Sequence, residues 1–293
     1  MKRLFVLAIL TAAVESLALM PGHAQTVEEV FKANPQASAI SRGLAPKIVG
    51  GEEVEIKDHP WQVALIRGQD AEPTRSLFCG GSLIAPQWVL TAAHCIRNTI
   101  VNGQPSRLNV VVGTKQYFAG GERIQVKSIH VHPGYVRDTN DFDFALLRLE
   151  KPFTTGGSAV AATIETAPAG TPVPAGTKTF VSGWGAVSEG GPGSLQLLGV
   201  EVPVVSTDIC NRKESYDGDI TGNMICAGRD SGGMDSCQGD SGGPLTATVS
   251  GKKVLVGVVS FGEGCARKLK FGVYALVPVA AEFIAKTMKD NNN

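Results

Sequence analysis

The sequence has no excess of either charge: 27 Lys and Arg balance 27 Asp and Glu. Nucleic-acid binding needs a basic face, and attachment to an anionic membrane needs a cluster of Lys and Arg, so neither partner is expected. No CxxC pair occurs among the six cysteines, which removes the usual spacing of a structural zinc site. A long hydrophobic run is missing as well. The best candidate opens the chain, but it lasts about seventeen residues, is broken by Glu15, and falls short of the ~20 that a spanning helix needs. Helical patterning is scarce, and no internal repeat is visible.

What is present is a chain of 293 residues rich in turn formers, with 35 glycines and 16 prolines. Lys2 and Arg3, the apolar run that starts with Leu4 to Leu10, and Gly22-His23-Ala24 before Gln25 read as a cleaved export signal over residues 1–24. Residues 25–47 are polar, small and cysteine-free, and read as a propeptide ending at Lys47. Residues 48–293 then form the folded part. Its short β-rich segments are Trp61 to Ile66, Leu108 to Val112, Ile124 to Ile129, Ala145 to Leu149, Thr179 to Ser182, Leu195 to Val205, Val254 to Ser260 and Gly272 to Val277. Strands spaced like this and broken by glycine suggest an all-β fold of two antiparallel barrels in tandem. The stretch from Pro152 to Gly176 contains the connection between them. Pro278 and the apolar spacing through Lys286 predict a C-terminal helix, with Asn291 to Asn293 frayed beyond it. Six cysteines in an exported chain suggest disulfides, and composition leaves many pairings open.

Three short runs carry the chemistry. Asp235-Ser236-Cys237-Gln238-Gly239-Asp240-Ser241-Gly242-Gly243-Pro244 sets a serine among glycines, where its hydroxyl can be exposed and backbone N–H groups lie close. Leu90-Thr91-Ala92-Ala93-His94-Cys95 offers a base. Asn140-Asp141-Phe142-Asp143-Phe144-Ala145-Leu146-Leu147 offers an acid at either Asp141 or Asp143. A serine hydroxyl is a weak nucleophile at neutral pH and needs an adjacent base. Histidine can take its proton and return it to a leaving amine, and an acid steadies the protonated ring. The order His, Asp, Ser is one of the known arrangements of such a triad.

From Ile48 to the C-terminal helix the chain resembles the trypsin-like serine endopeptidases of the chymotrypsin family, and trypsin most closely. The resemblance implies two tandem six-stranded antiparallel β-barrels with a C-terminal α-helix. It favours Asp143 over Asp141, because the apolar run Phe144 to Leu147 follows it directly. It implies the triad His94, Asp143 and Ser241, and an oxyanion hole made by the N–H groups of Gly239 and Ser241. Asp240 would pair with the α-amino group of Ile48, freed by cleavage after Lys47, so the uncut chain would be a zymogen. The family pattern implies the disulfides Cys79–Cys95, Cys210–Cys226 and Cys237–Cys265, each closing about 15 to 30 residues and worth roughly 3 kcal/mol in the chain-entropy model. The first would fasten the loop that delivers His94. No cofactor or metal is expected, and the resemblance implies a secreted or periplasmic monomer open to protein protease inhibitors.

Substrate choice is expected in a pocket built from Asp235 to Gln238, Ser260 to Gly264 and Gly272. Asp235, six residues before Ser241, stands where trypsins meet Lys or Arg of the substrate. Ser236 adds a hydroxyl, Gln238 and Ser260 lie alongside, and Gly262 and Gly272 leave the walls bare. Departures from the trypsin pattern are Phe261 in place of a tryptophan and Phe271 in place of a proline, an aromatic there being compatible in the family with a sodium site. Thr114 stands where calcium-binding members carry an acid, so calcium dependence through the Gly113 to Glu122 loop is not expected. The loop from Arg67 to Phe78 is long and can modulate access. Ser215 through Gly228 follows the trypsin pattern closely. Two rival readings are a protease of chymotrypsin- or elastase-like specificity, which Asp235 opposes, and a non-enzymatic binding module, which the intact triad opposes.

Overall fold

Alternation of apolar and polar residues is clearest in the strand Glu122–Val131, where Ile124 and Val126 are buried while Arg123, Gln125 and Lys127 are exposed. A two-residue period of this kind puts one face of a sheet on a core and the other in water. The computed structural model describes residues 49–68, 76–97, 100–101, 104–105, 108–153 and 160–291. The expected signal and propeptide, Lys47, Ile48, positions 69–75 of the long loop and 154–159 of the connection lie outside the described residues.

In chain order the strands are β1 (Glu52–Glu53), β2 (Gln62–Arg67), β3 (Leu77–Ala85), β4 (Trp88–Thr91), β5 (Ile100–Val101), β6 (Gln104–Pro105), β7 (Leu108–Val112), β8 (Glu122–Val131), β9 (Ala145–Leu149), β10 (Lys178–Gly183), β11 (Leu198–Val205), β12 (Met224–Ala227), β13 (Pro244–Val249), β14 (Lys252–Phe261) and β15 (Gly272–Leu276). Among the described residues three α-helices join them: α1 (Ala93–Ile96), α2 (Thr207–Cys210) and α3 (Ala281–Asp290). The first barrel closes in the order β2-β3-β4-β9-β8-β7. The second runs β11-β10-β13-β14-β15-β12 and closes where Val204 and Val205 of β11 pair with Ala227 and Cys226 of β12. The short β1 adds to the other end of β11. Neighbouring strands in both barrels are antiparallel, and closure leaves neither barrel an open edge. The chain thus has the expected chymotrypsin-like architecture.

Strand β2 breaks the alternation, since Gln62 through Ile66 are all buried. Val63 and Leu65 enter the core of the first barrel. Ala64 and Ile66 face the other way, into a cluster with Val111, Tyr117, Trp184 and Leu197. Trp184 and Leu197 sit in the segment between β10 and β11, so this cluster is the seam between the barrels. Buried Ser182 reinforces it by donating 2.7 Å to Gln62 Oε1. Helix α3 leaves the second barrel and lays Phe283, Ile284 and Met288 on the core of the first, strapping the two together.

Four barrel strands escape the sequence patterning, β3, β4, β12 and β13, as do the two-residue strands β1, β5 and β6. In β3 the glycines serve close packing: a Cβ on Gly80 would lie 3.0 Å from Gly243 Cα, and one on Gly81 2.8 Å from Val89 Cγ1. The expected C-terminal helix begins with a 3-10 turn over Val277–Ala280, and α3 proper starts at Ala281. The expected strand from Leu195 begins at Leu198, because Ser194 and Gln196 fold into a local turn in which the Ser194 hydroxyl donates to Gln196 O.

Candidate active site

Strands β4 and β9 pair with Thr91 opposite Ala145. His94 lies just after the first and Asp143 just before the second, so the barrel's register brings base and acid together. Asp143 is fully buried; its Oδ2 accepts from His94 Nδ1 at 2.7 Å and its Oδ1 from the His94 backbone N–H at 2.9 Å. Ser260 of β14, in the other barrel, donates to Asp143 Oδ2 at 2.6 Å. Three donors thus hold a carboxylate that has no contact with water. The Cys79–Cys95 disulfide ties α1 to β3. Among the described residues, Cys79, His94 and Cys95 gather metal-ligand atoms, but disulfide sulfurs offer no thiolate.

Ser241 reaches this group from the second barrel. Its carbonyl accepts from the Gly80 N–H at 2.7 Å, across the seam. Cys95 Sγ lies 3.5 Å from the same carbonyl oxygen and 3.7 Å from His94 Nε2, so the serine and the free edge of the imidazole meet at one sulfur. The tight fit extends to Gly242, where φ is +80° and a Cβ would lie 2.2 Å from Thr91 Oγ1 and 2.6 Å from Gly80 O. Within the loop, Asp240 N–H donates to Cys237 O, Gly242 N–H to Val259 O and Gly243 N–H to Asp240 O. The N–H groups of Gly239 and Ser241 have no acceptor among the described residues. At Gly239, φ is +99°, a conformation that glycine adopts without strain. Two neighbouring unsatisfied donors are suited to receive a negative oxygen.

Asp240 points the other way and is fully buried. It accepts from Gly185 N–H at 2.8 Å and Cys237 N–H at 3.0 Å. Burial pushes its carboxyl up to about 6, and no cation among the described residues pairs with it. Val49 packs close by, with Ala186 and the Cys237–Cys265 disulfide. The Val49 carbonyl accepts from Asp235 N–H at 3.3 Å.

Asp235 is 3 % exposed and closes a cavity of about 180 Å³ lined also by Ser236, Gln238, Ser241, Ser260, Gly262 and Gly272. Ligand pockets for whole small molecules run from roughly 300 Å³ upward, so this one suits a single side chain. Burial raises the Asp235 carboxyl to about 7 against the opposing pull of the Ala266 N–H, which donates at 3.1 Å. A Cβ on Gly272 would sit 2.5 Å from Asp235 Oδ1, so glycine there makes room for the acid. Ser236 Oγ is at the long distance of 3.5 Å from Asp235 Oδ1 and 3.4 Å from Tyr274 Oη. Gln238 is exposed at the rim, and its carbonyl accepts from Ala186 N–H at 2.7 Å. Phe271 does not line the cavity; it is buried in a cluster with Tyr216, Ile220 and Met224, and its carbonyl accepts from Tyr216 Oη at 2.6 Å.

A family profile described as Trypsin matches residues 48–284. The chain belongs to the trypsin family. It is 42% identical over 238 residues to "Trypsin 5G1" of Aedes aegypti, covering 81% of this chain and 84% of the relative. It is 44% identical over 233 residues to "Trypsin" of Saccharopolyspora erythraea, covering 78% and 93%. Against "Trypsin" of Sus scrofa it is 40% identical over 249 residues, covering 84% and 97%. As a member of the trypsin family it is a serine endopeptidase acting on protein substrates. No helix among the described residues is long and apolar enough to cross a membrane.

Sequence reasoning missed Gly80, Gly185 and Tyr274. Each acts by main chain or by packing at a site distant in sequence, and nothing local marks such a residue. It also left Ser260 as a pocket residue only, whereas its hydroxyl is given to Asp143. The seating of Ser241 by backbone contact carries a prediction. Gly242→Ala should slow labelling of Ser241 by a serine-directed phosphonate by about a hundredfold, the usual effect of a displacement near 1 Å at a reacting atom. Labelling at the wild-type rate would show that the loop accommodates the methyl group.

Proposed function

We propose that this trypsin-family enzyme hydrolyses peptide bonds after Arg or Lys and is made as an exported zymogen. The observation that carries the reading is Asp235, an acid buried at the end of a side-chain-sized cavity with no cationic partner among the described residues. A substrate guanidinium or ammonium supplies that partner. In this reading Ser241 attacks the scissile carbonyl and His94 Nε2 takes the hydroxyl proton. The Asp143 contact at Nδ1 supports this tautomer and steadies the imidazolium. The Gly239 and Ser241 N–H groups hold the oxyanion of the tetrahedral intermediate. His94 then protonates the leaving amine, and water hydrolyses the acyl-enzyme by the same steps in reverse roles.

Cleavage after Lys47 frees the Ile48 amine, and the position of Val49 beside the Cys237–Cys265 disulfide supports its insertion toward Asp240. Above a pH of about 6 an unpaired Asp240 is charged and buried, which disfavours the ordered loop; an ammonium partner removes that penalty. In the Gly113 to Glu122 loop Thr114 ties the chain internally, which speaks against calcium binding there: its Oγ1 lies 2.9 Å from Ala119 O and accepts from Gln116 N–H at 3.1 Å. The described disulfides support an exported protein. Residues 1–24 then serve as signal, 25–47 as propeptide and 48–293 as the protease.

The deciding experiment is a peptide panel with Arg, Lys, Phe or Ala before the scissile bond, run on wild type and Asp235→Ser. Removing one member of a buried charge pair costs about 2–5 kcal/mol, so kcat/KM for Arg and Lys should fall by at least about thirtyfold and up to several thousandfold. Small activated esters without a cation should lose much less. Arg should be modestly preferred over Lys in the wild type, since it meets a carboxylate in two-pronged fashion. Equal cleavage of Arg peptides by the variant would remove Asp235 from the specificity role.

Activation has its own test. The Lys47–Ile48 bond is itself a substrate for an enzyme of this preference, so purified wild type should trim to Ile48 while Ser241→Ala stays full length. Rapid trimming of the pure variant would refute self-activation.

The pH dependence follows from the Ile48–Asp240 pair. Pairing raises the amine above its reference of about 7.7–8.0. Its contribution is complete below that reference and is lost as pH rises through the raised value. Activity on an Arg amide should therefore decline reversibly on the alkaline side, together with the affinity for a cationic competitive inhibitor. A flat alkaline limb to pH values well past the amine's titration would exclude the pair.

A further inference from the structure

Asp141 takes no part in the reading above, yet its carboxylate is more fully engaged than most. Its Oδ1 accepts from Thr221 Oγ1 at 2.6 Å and from Asn223 Nδ2 at 3.1 Å, and its Oδ2 accepts from the same amide at 3.1 Å. Thr221 and Asn223 immediately precede β12, so all three contacts cross from the first barrel to the second. The receiving segment is itself braced. Asn211 bonds both the N–H and the carbonyl of Ile220, Asn223 N–H donates to Thr221 Oγ1 at 3.2 Å, and Asn223 O accepts from Leu276 N–H at 2.9 Å.

On its own side Asp141 stands between two non-glycine residues of left-handed conformation, Asn140 at φ +55° and Phe142 at φ +50°. Side chains other than glycine resist this region and keep it only where their surroundings impose it. The imposing contacts are visible. Tyr135 Oη donates to Asn140 Oδ1 at 3.2 Å, Val136 N–H donates to Asp141 O at 3.0 Å, and the His132 ring stacks on Phe142 at 4.6 Å and 3°. Asp143 follows directly. If Phe142 relaxed to the extended region, the peptide that aims the Asp143 carboxylate at His94 would turn.

We propose that Asp141 is a positioning residue, which clamps the strained Asn140–Phe142 turn to the second barrel and thereby aims Asp143 at His94. The proposal rests on the reading that Asp143 orients His94. It makes alignment of the acid depend on contact between the two barrels. The titratable and charged groups facing this pair of acids are His94, His132 and Tyr135, with Arg97 and Arg137 beside Tyr135.

The test uses the mature enzyme on an Arg peptide amide. Asp141→Ala should lower kcat by about ten- to a hundredfold, as loosened positioning does, with KM changed by less than about threefold. The acid limb of kcat/KM should move to lower pH, because the carboxylate that steadies the protonated base is less well placed. Asn223→Ala should act in the same direction and keeps the test open if the first variant fails to fold. Exchanging donor and acceptor, by Asp141→Asn together with Asn223→Asp, should restore kcat to within about threefold of wild type, while neither single exchange does. Wild-type kcat and acid limb in both alanine variants, with only the melting temperature lowered, would overturn the proposal and leave Asp141 as inter-barrel glue. Asp143→Ala separates the two levels: an unchanged kcat there would defeat the triad reading itself, whatever Asp141 does.

Discussion

A hydrogen bond between two main chains, from Gly80 N–H to the carbonyl of Ser241, fixes the geometry on which the rest of the site depends. It is a contact between barrels whose cores also meet, since Leu255, Val258 and Ala275 of the second barrel join the cluster of Val63, Leu65 and Leu146 in the first. On one side β3 is held to His94 by the Cys79–Cys95 disulfide, and on the other the loop of Ser241 is pinned to β14 through Gly242 N–H and Val259 O. The backbones flanking this bond leave no room for side chains at 80 and 242: a Cβ on Gly80 would lie 3.0 Å from Gly243 Cα, and one on Gly242 2.6 Å from Gly80 O. The apolar seam of Ala64, Ile66, Tyr117, Trp184 and Leu197 supplies the cohesion that keeps the bond formed.

Three buried acids lie around that bond, and each meets the penalty of burial differently. Asp143 is satisfied within the described fold, by the His94 ring, the His94 N–H and Ser260. Asp240 receives two N–H donors but no cation among the described residues, and burial leaves its carboxyl raised to about 6. Asp235 receives one close donor and is raised further, to about 7. In the proposed reading the last two are completed from elsewhere: Asp240 by the chain's own new terminus, Asp235 by the substrate. Regulation and specificity then share one physical basis, a low-dielectric site that favours an incoming cation.

Much of the fold was legible because the strands of both barrels obey local rules. Periodicity marks β7, β8, β9 and β14, whose inward and outward faces differ or whose β-branched runs are long enough to stand out. It fails at β3, where Gly80 and Gly81 interrupt the apolar pattern, Gly80 for contact with the other barrel and Gly81 for packing against Val89 and Leu65. It fails again at β4, whose four residues are buried on both sides, and at β13, which opens on Pro244. The runs around His94, Asp143 and Ser241 could be read from spacing and resemblance, since the chemistry demands those residue types. The choice between Asp141 and Asp143 could not be made from the residues alone. Both are acids in one turn; the resemblance favoured Asp143, and the 2.7 Å contact of its Oδ2 with His94 Nδ1 shows that it faces the histidine.

The sequence by itself determined the inventory: strands of period two, a serine among glycines, a histidine and an acid in triad order, six cysteines and no excess charge. These depend on local sterics and on side-chain chemistry, which residue identity carries. Tertiary structure left the N–H groups of Gly239 and Ser241 without an acceptor among the described residues and gave the Ser260 hydroxyl to Asp143. It also placed Asp235 at the end of a cavity with Gly272 making room, and aimed Asp141 at Thr221 and Asn223 in the other barrel. Each of these pairs groups far apart in the chain or removes water from one of them. Sequence spacing records neither the distance between such groups nor their burial; those arise only when the barrels close and pack together.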